Sequence, residues 1–146
     1  VTGVQTCALP IYGHIRDLPD SGLNIDIENG FEPESQARLL LAEEALSAGN
    51  AGLALDQYDA LTQLPGSTLS TFNDAISAAL TAGKKEEALV KAQEAVKRWP
   101  DDALAQDLLG WAQLQNGDRE HAKESLQKAL TLNPNLTSAK EHLKQL

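Results

Sequence analysis

Apolar side chains along most of this chain return every three or four residues, the spacing that places them on one face of an α-helix. Two such stripes are Leu104, Leu108 and Trp111, and Leu126, Ala129 and Leu130. Residues 116–118, Asn-Gly-Asp, separate the stripes, and a glycine directly after a helical pattern is typical of a helix end. The pattern over residues 99–134 therefore predicts two antiparallel helices joined by a short turn.

The same arrangement occurs upstream with a period of 34 residues. A true repeat keeps its phase at several unrelated positions. The columns in phase are Gly49, Gly83 and Gly117; Ala54, Ala88 and Ala122; Leu46, Leu80 and Leu114; Ala42, Ile76 and Gly110; and Leu61, Ala95 and Ala129. The glycines can take the left-handed conformation that ends a helix, and the alanines allow two helices to cross closely. We therefore predict an all-α solenoid of antiparallel helix hairpins, with about seven helices.

These columns resemble the tetratricopeptide repeat (TPR) family, whose units are helix–turn–helix motifs of the same period. The residues that carry the resemblance in the third unit are Leu109, Gly110, Ala122, Leu126, Ala129 and Pro134. The departures from the family pattern are Ile76 at a small position, Arg38 and Gln106 where an aromatic is usual, and Gln113 where tyrosine is usual. The resemblance covers residues 33–146 and predicts repeats at 35–68, 69–102 and 103–136, followed by a capping helix at 137–146.

Short polar residues precede several of the predicted helices, where their side chains can accept hydrogen bonds from free backbone N–H groups. On this basis we predict that Ser67 caps the third helix, Asp101 the fifth and Asp118 the sixth. The last helix is predicted to begin at Asn135.

The N-terminal part of the chain does not follow the repeat. Residues 1–11 match the forward translation of a common sequencing-library adapter, so we interpret them as an artefact and exclude them from fold reasoning. Residues 12–32 contain a turn and an alternating segment, and we expect a linker or the remnant of a preceding domain. The native N-terminus is then missing, and the chain is a fragment.

Composition narrows the classes of partner. The net charge over 146 residues is −9 and there is no basic run, which argues against nucleic acid and anionic membrane surfaces. No segment approaches the ~20 apolar residues of a membrane span. The single cysteine, Cys7, excludes an internal disulfide framework. The sequence specifies no compartment, biological process or oligomeric state.

The resemblance also implies where a partner binds, because the first helix of each pair lines a concave groove in that family. Candidate partner-binding residues at those positions are Leu39, Glu43, Asn73, Ser77, Leu104, Asp107 and Trp111. The set includes acidic residues and no Lys or Arg, so it lacks the lysines of members that clamp a partner's C-terminal carboxylate. We expect a neutral or basic protein or peptide. Trp111 has two open interpretations, an aromatic on the groove wall or a core residue packed between helices.

Three hypotheses of function remain open. The first is a scaffold that binds a partner peptide or protein in the groove. The second is a regulatory or structural domain of a larger protein whose groove is occupied by its own residues 12–31, with Leu23, Ile25 and Ile27 as anchors. The third, an enzyme whose catalytic domain is missing, has the weakest basis, because no catalytic, metal-ligand or phosphate-loop motif occurs. We therefore expect no enzyme activity, no metal and no cofactor.

Overall fold

The computed structural model of the chain describes residues 33–146, which form seven α-helices and no strand. The helices are α1 Pro33–Ser47, α2 Ala51–Gln63, α3 Leu69–Thr81, α4 Lys85–Arg98, α5 Ala103–Gln115, α6 Arg119–Leu132 and α7 Thr137–Lys144. The predicted all-α architecture is confirmed for this range. The predictions for residues 1–11 and 12–32, including the anchors Leu23, Ile25 and Ile27, lie outside the described residues.

Each helix pair is joined by a tight turn that requires glycine. Gly49, Gly83 and Gly117 have φ angles of 77°, 77° and 87°, which lie in the left-handed region that other residues rarely adopt. The backbone N–H of the residue after each glycine reaches back to a carbonyl in the preceding helix, as in the 2.8 Å bond from Lys84 N to Ala79 O. The repeated glycine column therefore sets the three turns.

The predicted helix caps are partly wrong. Asp118 caps α6 as expected, since its side chain accepts from His121 N. The cap of α5 is Asp102 rather than Asp101, because the helix begins at Ala103 and only the carboxylate at 102 reaches Leu104 N, at 2.8 Å. Ser67 caps no helix.

The residue before α3 is Thr68, whose side chain makes no capping hydrogen bond. Ser67 Oγ instead donates to Thr62 O and accepts a 2.7 Å bond from Arg98 Nη1, so it joins the ends of α2 and α4. The last helix begins at Thr137, two residues later than predicted.

Small residues allow the helices of each pair to approach closely. Ala54, Ala88 and Ala122 are all completely buried, as their place at helix crossings requires. At two positions where the sequence departs from the family pattern, the polar side chains still form hydrogen bonds. Gln106 is buried and its Nε2 donates to Pro100 O at 3.0 Å, and Gln113 Oε1 accepts from Ser125 Oγ at 2.8 Å.

Successive pairs stack with their first helices on the inside. α3 packs directly against α5, and α5 against α7, whereas α2, α4 and α6 make no comparably close approach to one another. The outer helices α2 and α4 are instead bridged by Lys91, whose Nζ lies 2.9 Å from Asp59 Oδ1 as an ion pair, at an angle too poor for a hydrogen bond. The first helices α3, α5 and α7 therefore lie closer together than the second helices do, and α1 belongs to the same row by its place in the repeat.

Candidate partner-binding surface

The seven predicted binding residues lie on α1, α3 and α5, three of the four helices of the inner row. Their exposure differs widely. Leu39, Glu43 and Ser77 are exposed; Asn73, Leu104 and Trp111 are partly buried; and Asp107 is buried. We call the solvent-facing side of α1, α3, α5 and α7 the inner surface.

At the C-terminal end of the inner surface, α7 covers Asp107. This carboxylate is only 1% exposed. Its Oδ2 accepts from Ser138 Oγ, and its Oδ1 lies 2.8 Å from Nδ1 of His142. Both carboxylate oxygens are therefore bound within the chain, and Asp107 holds the last helix in place rather than facing solvent.

Trp111 shares features of both interpretations that the sequence left open. Its ring stacks on the ring of His142, with centroids 5.6 Å apart and an angle of 6° between the planes. Trp111 also packs against the main core cluster, yet it stays partly exposed. The indole is thus fixed by packing and keeps part of its surface in solvent, which is the setting of a rigid aromatic contact.

The middle of the inner surface is small and polar. Ser77 is exposed and Asn73 is partly exposed, with the Asn73 amide 3.5 Å from Asp74 Oδ1. The neighbouring Leu104 of α5 is partly buried against the core. The exposed or partly exposed side chains at this point, Ser77 and Asn73, are thus short and polar.

The N-terminal end contains an acidic group that includes a residue not predicted from the sequence. Asp74 of α3 has a pKa raised by burial and by the nearby charge of Glu43, with the Asn73 hydrogen bond acting in the opposite direction. Burial, followed by the charges of Asp74 and Glu43, raises the pKa of Tyr58 on α2. These three side chains therefore lie within each other's electrostatic field.

Asp74 was missed because its position in the repeat is not a groove position in the family pattern. A signal was nevertheless present, since the 34-residue period places Asp74 in register with His142, the residue that stacks on Trp111. Glu43 is likewise in register with Trp111. Moving Trp111 and His142 back by two repeat lengths gives Glu43 and Asp74, so the contact between the first two residues would have suggested that the second two are neighbours.

The described residues show no other chemistry at this surface. Within residues 33–146, no three His, Cys, Asp or Glu side chains are grouped so as to hold a metal ion. None of the helices in that range is both long enough and apolar enough to span a lipid bilayer.

Comparisons with known proteins agree with this architecture. A sequence profile described as Tetratricopeptide repeat matches residues 103–136, the same range as the third predicted unit. The crystal structure of the Sgt2 TPR domain from Aspergillus fumigatus superposes with a TM-score of 0.66 at 23% identity, covering 77% of this chain and 76% of that one. That likeness establishes the fold. The boundaries of the other two units stay predictions.

Two curated relatives are much longer than this chain. Cellulose synthase operon protein C of Escherichia coli K12 and Putative cellulose synthase operon protein C of Escherichia coli O157:H7 are each 29% identical over 123 residues. The match covers 84% of this chain but only 10% of either relative. The chain thus corresponds to a small part of the relatives' length.

Proposed function

We propose that this chain, which belongs to the tetratricopeptide repeat family, binds a segment of a partner protein along its inner surface. The family's architecture is a protein-interaction scaffold, and the helical stack described above has that architecture. The observation that carries the proposal is the direct packing of the first helices α3, α5 and α7 in one row, on which Ser77 is exposed and Trp111 is partly exposed. A concave wall with a fixed aromatic residue is suited to holding an extended or helical peptide.

The charge of this surface supports a neutral or basic partner. With Asp107 bound to α7, the accessible acidic groups are Glu43 and the partly exposed Asp74, together with Glu141 on the last helix. The helices α1, α3 and α5 contain a single basic residue, Arg38, which binds Glu34 at 2.7 Å, whereas α7 also contains Lys140 and Lys144. A cationic peptide would be attracted to this face, and an acidic one repelled.

The proposal includes no catalytic step. The second hypothesis, in which the chain's own residues 12–31 occupy the groove, concerns a segment outside the described residues and stays a prediction. It differs from the first in one measurable respect, because an occupied groove would not bind added peptides.

The proposed function is tested by probing an array of random twelve-residue peptides with the full chain and with two matched variants. Ser77→Arg adds a long cation at an exposed position in the middle of the inner surface, and Gln93→Arg adds the same side chain at an exposed position on α4. We expect Ser77→Arg to lose the peptides that the unchanged chain binds. We expect Gln93→Arg to keep them, because α4 lies in the outer row.

Circular dichroism of both variants gives the control for folding, and the thermal midpoints should agree with that of the unchanged chain. Equal peptide binding by the two variants would contradict the proposed site. An array that binds nothing in any of the three proteins would favour an occupied groove over an open one.

A further inference from the structure

The last helix, α7, covers two of the predicted binding residues and so occupies the C-terminal end of the inner surface. Asp107 accepts a hydrogen bond from Ser138 Oγ, and its other oxygen lies 2.8 Å from His142 Nδ1. The His142 ring also stacks on Trp111, with centroids 5.6 Å apart. A helix of this chain is therefore bound where the proposed function places a partner segment.

The contacts between α5 and α7 are polar where the preceding contact in the stack is apolar. One repeat length before Ser138 and His142, the same positions of α5 hold Leu104 and Leu108. Leu108 is 2% exposed and belongs to the main core cluster, against which Leu104 packs. A hydrogen bond within a protein replaces hydrogen bonds to water, so separating its partners costs less than exposing buried leucines. We therefore expect α7 to leave α5 more easily than α5 leaves α3.

The apolar contacts of α7 are limited as well. Ala139 is its buried residue, and it packs with Leu126 and Ala129 in a cluster separate from the main core. The main core cluster is formed by residues of α1 to α5. With eight residues, α7 is too short to be stable alone, and it packs less extensively on α6 than α5 does. Release of α7 would therefore leave the main core intact.

We propose that α7 is a releasable occupant of the inner surface, and that a helical segment of the partner protein replaces it on Asp107 and Trp111. This rests on the proposed function and adds the place of binding and the pattern of the segment. The pattern is a hydrogen-bond donor, alanine directly after it, a flat donor such as histidine or arginine at the fifth position, and an apolar residue at the sixth. In α7 these positions are held by Ser138, Ala139, His142 and Leu143.

Each position of the pattern matches a group that α7 covers. The two oxygens of Asp107 accept the two donors, as they do beneath α7. The indole of Trp111 stacks on a flat ring or on a guanidinium group. A small residue fits against Leu126, since Ala139 is completely buried there. Arginine at the fifth position adds a charged contact with Asp107, which agrees with a neutral or basic partner.

The test measures binding of a fluorescent twelve-residue peptide, with the sequence of residues 135–146, to the full chain. The unchanged chain is compared with the opened variant, Ser138→Ala, His142→Ala, in which α7 lacks its polar contacts with α5. When a site is open only part of the time, the apparent affinity falls in proportion to the open fraction. We expect fluorescence anisotropy to show at least ~tenfold tighter binding by the opened variant.

The matched control is Thr137→Ala, Lys140→Ala, which changes two exposed residues of α7 and also removes one hydroxyl group. This control should bind the peptide as weakly as the unchanged chain, because its contacts with α5 are retained. Circular dichroism checks that all three proteins are folded. Equal affinity of the three proteins for the peptide would overturn the proposal.

Substituted peptides test the pattern on the opened variant. A peptide with both Ser138→Ala and His142→Ala should bind at least ~tenfold more weakly than the original, because it lacks both donors to the carboxylate. A peptide with His142→Arg should bind at least as tightly as the original. A peptide with His142→Leu that binds as tightly as the original would overturn the pattern.

Hydrogen–deuterium exchange tests release in the unchanged chain, without any substitution in the protein. We expect residues 137–144 to exchange at least ~tenfold faster than the middle of α5 and α6, since α7 opens locally. Exchange of these residues should become faster still with an excess of the His142→Arg peptide, whose mass distinguishes it from the chain. Exchange of α7 that bound peptide does not accelerate would contradict replacement.

This inference and the proposed function can fail separately. Loss of array binding in Ser77→Arg, together with equal peptide affinity of the unchanged chain, the opened variant and the control, would retain the inner surface and remove the exchange at α7. Array binding that Ser77→Arg leaves intact, together with tighter peptide binding by the opened variant, would restrict partner binding to the C-terminal end.

Discussion

At the scale of single residues, complementary size keeps each helix pair packed. One column of the repeat holds Ala42, Ile76 and Gly110, and the column that faces it across each pair holds Tyr58, Ala92 and Leu126. All six residues are buried. A small residue on one helix thus meets a large one on the other in the first and third pairs, and the second pair reverses the order. Ile76 departs from the family pattern without disrupting the fold because its partner is alanine.

Gly110→Ala should destabilise the protein by about 1–3 kcal/mol, because an added Cβ would lie 2.6 Å from Leu126 Cγ in a packed core. In a Leu126→Ala background the same change should cost less, since the methyl group then enters the space that leucine occupied and only Ala122 O, at 3.2 Å, stays close. Chemical denaturation of the two single variants and the double variant measures this coupling.

The matched control is Gly52→Ala in α2, where the nearest atom to an added Cβ is Asn50 Oδ1 at 3.8 Å. We expect no loss of stability there, because alanine favours helices more than glycine does. Identical costs for Gly110→Ala with and without Leu126 would show that the two positions do not compete for space.

At the scale of elements, the short helix α7 is stable only because it contacts α5 and α6. Eight residues are too few for a stable isolated helix in water. Ala139 is completely buried in a cluster with Leu126 and Ala129, which fixes one side of α7 to α6. The hydrogen bonds of Ser138 and His142 with Asp107 fix the other side to α5. The capping helix is thus bound by apolar contacts and by a polar contact that lies at the end of the inner surface.

Asp107→Ala should release α7, because Ser138 and His142 would lose their buried acceptor at a cost of about 1–3 kcal/mol. Hydrogen–deuterium exchange should show faster exchange in residues 137–144 while α1 to α4 keep their protection. Glu141→Ala, an exposed position on the same helix, is the control and should leave exchange unchanged. Unaltered protection of α7 in Asp107→Ala would mean that apolar contacts alone hold the helix.

At the scale of the whole molecule, each helix pair buries the face of its neighbour, and α1 has no preceding helix pair within the described residues. The consequence is visible at one position of the repeat. Leu108 of α5 is 2% exposed because α3 covers it, whereas Leu40 in the same position of α1 is 66% exposed. Leu41, the next residue, is 50% exposed. The same residue type in the same register therefore contributes very differently to stability.

Leu108→Ala should cost about 2–5 kcal/mol of unfolding free energy, the usual range for truncating a buried leucine. Leu40→Ala should cost less than about 0.5 kcal/mol, because most of its side chain is already in water. Parallel urea denaturation of the two variants checks this. A cost for Leu40→Ala equal to that for Leu108→Ala would show that part of the chain outside residues 33–146 covers α1.

Much of the helical framework was predictable because its causes are local in the sequence. The three-and-four spacing of apolar residues and the glycines at a fixed period determined the helix pairs and their turns. The buried alanine column determined where the helices cross. Errors occurred at helix starts, as at Asp101 and Ser67, where a shift of one residue decides which side chain reaches a free N–H group.

The candidate surface was less predictable, because it depends on distances between helices that are far apart in sequence. The sequence identified Asp107 as an acidic position on a first helix, but only the tertiary structure placed α7 over it and bound both its oxygens. Asp74 was missed because it does not occupy a groove position of the family pattern, although its pKa is raised by burial and by the charge of Glu43. The sequence by itself thus determined the repeating helices, whereas the tertiary structure decided which polar groups are covered and which face solvent, since burial depends on neighbouring helices.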